Sequence, residues 1–171
     1  MLYNYKGNIP KLNTPAFIAE SAEIIGNVQI DEDVSIWFNT VIRGDVNFIK
    51  IGKKTNIQDN CVIHVSEKYP TIIGIGVTVG HSAIIHAAKV DDYCLVGMGT
   101  TVLDGVEIGR YSLIAAGSVV LQKLIIPEGM LVAGIPAKIV RTLTDDERKM
   151  LVESADNYLI YAKSYYNLKK I

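Results

Sequence analysis

Aliphatic residues recur every six positions through most of this chain. The series opens at Ile18 and Ile24 and runs on through Ile30, Ile36 and Ile42. After three extra residues it resumes at Ile51, Ile57 and Ile63, breaks between His64 and Ile72, and resumes at Ile73, Val79 and Ile85. One five-residue step leads to Val90, and regular spacing continues at Val96, Val102, Ile108, Ile114 and Val120. Four places after the aliphatic stands a small or β-branched residue: Ala22, Val28, Val34, Thr55, Cys61, Val77, Ala83, Cys94, Thr100, Val106, Ser112 or Ser118. Glycine or an acid often follows the aliphatic directly, as in Ile51-Gly52, Ile73-Gly74, Val79-Gly80, Val96-Gly97 and Ile108-Gly109.

A period of six fits neither the helical repeat nor simple strand alternation. It is the hexapeptide period of a parallel β-helix. Each hexapeptide makes one short strand and one corner, and three of them close a triangular coil. Coils pair their backbones along the stack, so only the two ends remain as edges. The aliphatic fills the prism, the residue four on tucks into a corner, and the glycine or acid is expected to accommodate the turn backbone.

The segment Gly134-Ile135-Pro136-Ala137-Lys138 closes the repeats. Thr144-Asp145-Asp146-Glu147 then matches a capping box with acids in the first helical turn. Met150, Leu151, Ala155, Tyr158, Leu159, Ala162 and Tyr165 follow at helical spacing. These features predict a helix from about Asp145 to about Tyr166. The chain divides into a β-helix with its lead-in (1–142) and a C-terminal helix (143–171) lying on the prism or on a neighbouring subunit.

The repeat also says where the three histidines point. Ile42, Ile63 and Ile85 share one face, so Arg43, His64 and His86, each one place further on, form an outward column. Its neighbours lie about 4.8 Å apart along the stack, which lets His64 and His86 grip one ion together. Ile36, Ile57 and Val79 share another face, where Asp59 and His81 stack two places further on. His81 therefore lies around a corner from the histidine pair, and imidazoles leaving different walls of one prism diverge. Metal–nitrogen bonds of about 2.0–2.1 Å need convergence, which two prisms side by side can supply. Such a contact is heterologous and closes into a ring, and for triangular prisms the natural ring is a trimer. Surface histidines alone need no function; the shared columns set these apart.

Composition narrows the partners. The chain has 171 residues, a net charge of −1 and 49% hydrophobic residues, enough to bury a core. Acids and bases are interspersed, which argues against nucleic acid or an anionic membrane as partner. No window approaches the ~18 uncharged apolar residues of a spanning helix. The first residues lack the basic and apolar segments of a signal peptide, so the expected location is cytoplasmic. Cys61 and Cys94 sit at corner positions and read as small core residues rather than disulfide partners or metal ligands.

The strings Ser35-Ile36-Trp37, Val41-Ile42-Arg43-Gly44-Asp45, Thr55-Asn56-Ile57-Gln58-Asp59-Asn60, Ile63-His64, Val79-Gly80-His81 and Ile85-His86, with the closing Gly134 to Lys138 segment and Arg141, resemble the γ-class carbonic anhydrases. The resemblance spans essentially the whole chain. It implies a left-handed β-helix, a homotrimer, and a metal at each interface held by His64, His81 and His86. Zinc suits three imidazoles, and iron or cobalt suits them as well. The implied reaction is reversible hydration of carbon dioxide to bicarbonate by a metal-bound hydroxide. By the same resemblance Arg43, Asp45 and Asp59 form a charged set joining subunits beside the metal. Gln58 hydrogen-bonds the hydroxide, with Asn56 close by, and Tyr158 overhangs the pocket. The family's best-characterised catalysts carry a glutamate after the Arg-Gly-Asp aspartate and an acidic loop after the first histidine. Here Val46 follows Asp45, and Glu67 is the sole carboxylate of a short loop, a weak candidate for proton transfer.

Two other classes compete. Hexapeptide-repeat acyltransferases and thioester hydrolases acting on coenzyme A esters also place one histidine as general base at trimer interfaces. A non-catalytic scaffold subunit held together by its metal is the third.

Overall fold

A computed structural model of the chain describes residues 1–165 and 168; the predicted helix end at about Tyr166 lies outside them. The fold is a left-handed parallel β-helix with one C-terminal helix. One face stacks Phe17–Ile18, Ser35–Ile36, Asn56–Ile57, Thr78–Val79, Leu95–Val96, Leu113–Ile114 and Met130–Gly134 in parallel register. The other two faces are joined because Glu23–Ile30 and Val41–Ile51 run without interruption around the corner between them. The histidine face carries Val62–His64 and Ile84–His86, and the third face carries Thr71–Ile73 and Lys89–Val90. The three residues inserted before Ile51 belong to that bent strand.

The interior is a column of aliphatics, with Ile24, Ile30, Ile36, Ile42, Ile51, Ile57, Ile63, Ile73, Ile85, Ile108 and Ile114 all fully buried. The six-residue series also runs two steps further than the sequence pattern showed, to buried Ile126 and Val132. Corner hydroxyls are satisfied between coils: Thr55 donates to Gly74 O at 2.7 Å, Thr100 to Ala115 O at 3.1 Å and Ser112 to Pro127 O at 3.0 Å. Cys61 and Cys94 are buried, and desolvation pushes both thiols up to about 12, which leaves them unreactive.

The corners differ from expectation. Left-handed backbone falls on the third residue after the inward aliphatic: Asn39 (φ 58°), Lys54, Asn60 and Ser82 (φ 59° each), Tyr93 (φ 54°) and Tyr111 (φ 53°). That conformation is costly for a residue with a Cβ. It is held by inter-coil bonds, Asn60 N to Phe38 O at 2.9 Å and Ser82 N to Asp59 O at 2.8 Å among them. The glycine directly after the aliphatic serves a different need, close approach. A Cβ on Gly80 would lie 2.7 Å from Met98 N, and one on Gly97 2.5 Å from Ala116 N.

The repeats close in an antiparallel hairpin, Met130–Gly134 with Ala137–Thr142. The helix spans Asp145–Ser164 and begins with the expected box: Glu147 N donates to Thr144 Oγ1 at 3.2 Å, and Thr144 N to Glu147 Oε2 at 2.8 Å. It lies on the face built from Ile36, Ile57 and Val79, with Leu151, Ala155 and Ala162 buried. Lys54 ties it to the prism through Asp156 at 3.0 Å. Among the described residues no helix is long and apolar enough to cross a membrane.

Candidate metal centre

Parallel pairing sets His64 directly opposite His86, with Arg43 opposite His64 on the other side. The imidazoles of His64 and His86 have centroids 5.0 Å apart, and His64 Nδ1 lies 3.0 Å from His86 Nε2. Each ring's other nitrogen meets a carboxylate. His64 Nε2 is 3.0 Å from Asp45 Oδ1, and His86 Nδ1 is 2.6 Å from Asp104 Oδ1.

Those carboxylates settle the tautomers. An ionised carboxylate only accepts, so the ring hydrogens belong on His64 Nε2 and His86 Nδ1. In two neutral rings so arranged, His64 Nδ1 and His86 Nε2 face each other across 3.0 Å as acceptors. Two acceptors at that distance repel unless a cation sits beside both. Two nitrogens bound to one tetrahedral ion stand roughly 3.3 Å apart, close to what is seen. The donor set fits a metal.

The carboxylates are themselves held ionised. Partial burial pushes Asp45 up, but hydrogen bonds from His64 and Arg43 outweigh it and leave the group below its ordinary value. Burial likewise pushes Asp104 up, and bonds from His86 and Ser66 bring it down. Arg43 also pairs directly with Asp45.

His81 lies around the corner, as its repeat position predicts. Its Nδ1 is 2.8 Å from Asp59 Oδ2, leaving Nε2 as the ring's remaining lone pair. Asp59 also accepts from Phe38 N at 3.2 Å. Buried Gln58 accepts from His81 N at 3.2 Å through Oε1 and donates to Asn56 Oδ1 at 3.1 Å. Tyr158 hangs from the helix above this group, its ring edge-on to Trp37 at 5.9 Å. Burial, and then the Asp59 charge, push the Tyr158 hydroxyl above its ordinary value. Trp37, Phe38, Asp59, His81, Tyr158 and Tyr161 line an open cleft of about 380 Å³.

One chain thus holds two separate groups of side chains. His64, His86, Arg43 and Asp45 share one face; His81, Asp59, Gln58, Asn56 and Tyr158 share the next. Among the described residues no three His, Cys, Asp or Glu side chains converge on an ion-sized point. Glu67 is exposed on its loop, with its backbone carbonyl accepting from Asn47 Nδ2 at 3.1 Å. Sequence reasoning missed Asp104. Its signal was a turn aspartate one coil beyond His86, a position that turn chemistry alone explains.

Known proteins bear on this arrangement. The family model for bacterial transferase hexapeptide (six repeats) matches residues 87–122. The carbonic anhydrase of Geobacillus kaustophilus is 46% identical over 170 residues, covering 99% of this chain and 93% of that protein. The mitochondrial gamma carbonic anhydrase 2 of Arabidopsis thaliana is 46% identical over 168 residues, but this chain spans only 60% of its length. A solved hexapeptide transferase family protein from Anaplasma phagocytophilum superposes with a TM-score of 0.93 at 44% identity, covering 96% of this chain and 98% of that one. With these relatives and the ordered histidine motifs together, the chain belongs to the γ-class carbonic anhydrase family.

Proposed function

We propose that three copies assemble into a ring, that His64 and His86 of one subunit and His81 of the next hold a zinc ion at each interface, and that the assembly catalyses reversible hydration of carbon dioxide. The observation that carries this reading is His64 Nδ1 and His86 Nε2 facing each other at 3.0 Å while the other nitrogen of each ring meets a carboxylate. Three prisms placed side by side bring a wall bearing His64 and His86 against a wall bearing His81, which completes the donor set. Iron or cobalt fits the same three imidazoles.

When bound, the ion supplies the Lewis acidity that makes water nucleophilic near neutral pH. The residues of this chain do the rest. Asp45, Asp59 and Asp104 each pair with one imidazole and would leave its other nitrogen free for a metal ion. Gln58, its oxygen held by the His81 amide and its nitrogen by Asn56, also hydrogen-bonds the Tyr158 hydroxyl and stands beside His81 to orient the attacking water. Trp37, Phe38 and Tyr158 form an apolar wall on the side where carbon dioxide approaches. Glu67, exposed on the loop after His64, can carry the released proton to solvent.

Acyl transfer leaves two of the three carboxylate-paired histidines without a role and is the poorer account. Metal analysis of anaerobically purified protein, joined to stopped-flow hydration of carbon dioxide, tests the proposal. Metal-dependent hydration that His81→Ala abolishes supports it. Absence of bound metal after anaerobic loading with zinc or iron overturns it.

A further inference from the structure

A line of hydrogen bonds, buried in its middle and partly buried at both ends, connects Gln58 to the C-terminal helix. His81 N donates to Gln58 Oε1 at 3.2 Å, and Gln58 Nε2 donates to Asn56 Oδ1 at 3.1 Å. Asn56 Nδ2 donates to Thr78 Oγ1 at 3.0 Å, and Thr78 Oγ1 lies 3.0 Å from Ser154 Oγ on the helix. Asn56, Gln58 and Thr78 are 0%, 4% and 5% exposed, so water cannot readily replace a lost partner.

One end sets the polarity of the whole line. A peptide N–H can only donate, so the His81 amide faces the oxygen of Gln58 and turns its nitrogen toward Asn56. That nitrogen requires the oxygen of Asn56, whose own nitrogen then requires an acceptor. The Thr78 hydroxyl provides one, and it shares a further hydrogen bond with Ser154 Oγ, in which either hydroxyl can donate. Reversing any one carboxamide sets two donors or two acceptors face to face.

We propose that Thr78 and Ser154 are positioning residues: acting through Asn56, they lock the Gln58 carboxamide in one orientation and make that orientation depend on how the helix is seated. The catalytic consequence rests on the role given to Gln58 above; the geometric one does not. Thr78→Val keeps the side-chain shape and removes the acceptor. Asn56 is then left with an unpartnered buried polar atom in either orientation, so it no longer holds Gln58 in one. Ser154→Ala removes only the far end, and Ser154→Thr keeps the hydroxyl.

The test is an amide nitrogen–proton NMR spectrum of the assembled, metal-loaded protein, with hydration kinetics on the same samples. The chain has three glutamines, Gln29, Gln58 and Gln122, and the side-chain signal of Gln58 is the one lost in Gln58→Ala. Thr78→Val is expected to shift the Gln58 carboxamide and His81 amide signals and to lower kcat about tenfold with KM nearly unchanged. Ser154→Ala shifts the same signals and lowers kcat roughly threefold, and Ser154→Thr restores both. Unmoved Gln58 and His81 signals in Thr78→Val overturn the proposal; if that variant does not fold, unmoved signals in Ser154→Ala do so. Shifted signals in a protein that hydrates no carbon dioxide support the positioning line and refute the hydration reading. Full hydration with unmoved signals does the reverse.

Discussion

Removing the Asp104 carboxylate should weaken metal binding although Asp104 is not placed to touch the metal. The side chain accepts from His86 Nδ1 at 2.6 Å and is held ionised despite partial burial. It fixes the hydrogen on Nδ1 and raises the basicity of Nε2, the nitrogen facing His64. Loss of such a partner costs about 10–100-fold in metal affinity, or roughly 1.4–2.7 kcal/mol. The Asp104 side chain is 28% exposed, so solvent screens part of its charge and the lower half of that range is expected. Asp104→Asn keeps an acceptor without the charge and should cost about tenfold; Asp104→Ala keeps neither and should cost about thirtyfold. Competition for zinc against a chromogenic chelator measures both. Asp91→Asn is the control, because Asp91 pairs with Lys89 at 3.0 Å, away from the histidines, and should leave affinity unchanged. Zinc affinity in Asp104→Ala equal to that of the unmodified protein would refute the tautomer argument.

Two further outcomes follow from the fold. Gly80→Ala should place a Cβ 2.7 Å from Met98 N, against a coil held by Gly80 N to Val96 O at 2.8 Å. Overpacking of this kind costs about 1–3 kcal/mol, so calorimetry should find Tm lowered by roughly 2–12 °C, and an unchanged Tm would contradict the close-approach account. The helix cap should be sensitive to acid. The Arg141 side chain and the Thr144 backbone hold Glu147 down at about 2, against an ordinary 4.5. A depressed carboxyl stabilises fully above its unfolded value and loses that contribution as pH falls from about 4.5 toward 2. Glu147→Gln should therefore flatten the stability profile in that window and nowhere above it, as read by circular dichroism melts across pH.

The prism was legible because its interior is built from β-branched aliphatics at a mostly six-residue spacing, and a slip of one place would turn them outward. The same spacing placed His64 beside His86 and set Asp59 under His81. The corners were misread because glycine signals two different needs. Gly52, Gly74 and Gly80 answer close approach between coils, whereas left-handed backbone falls three places after the aliphatic, on Gly99, Gly105 and Gly117 but also on Lys54, Ser82 and Tyr93, which do not announce it. Asp104 was invisible because an aspartate at a turn needs no further reason. Ser154 was invisible for another cause: it lies 76 residues from Thr78, and no local pattern reports a contact that only the helix's seat on the prism creates.

Native mass spectrometry of the protein purified under argon tests the central claim most directly, because it reports assembly and metal content together. The account predicts one species of three 18.8 kDa chains carrying three metal ions, and loss of those ions from the His81→Ala protein. A monomer that binds one ion through His64 and His86, with affinity indifferent to His81, would contradict it.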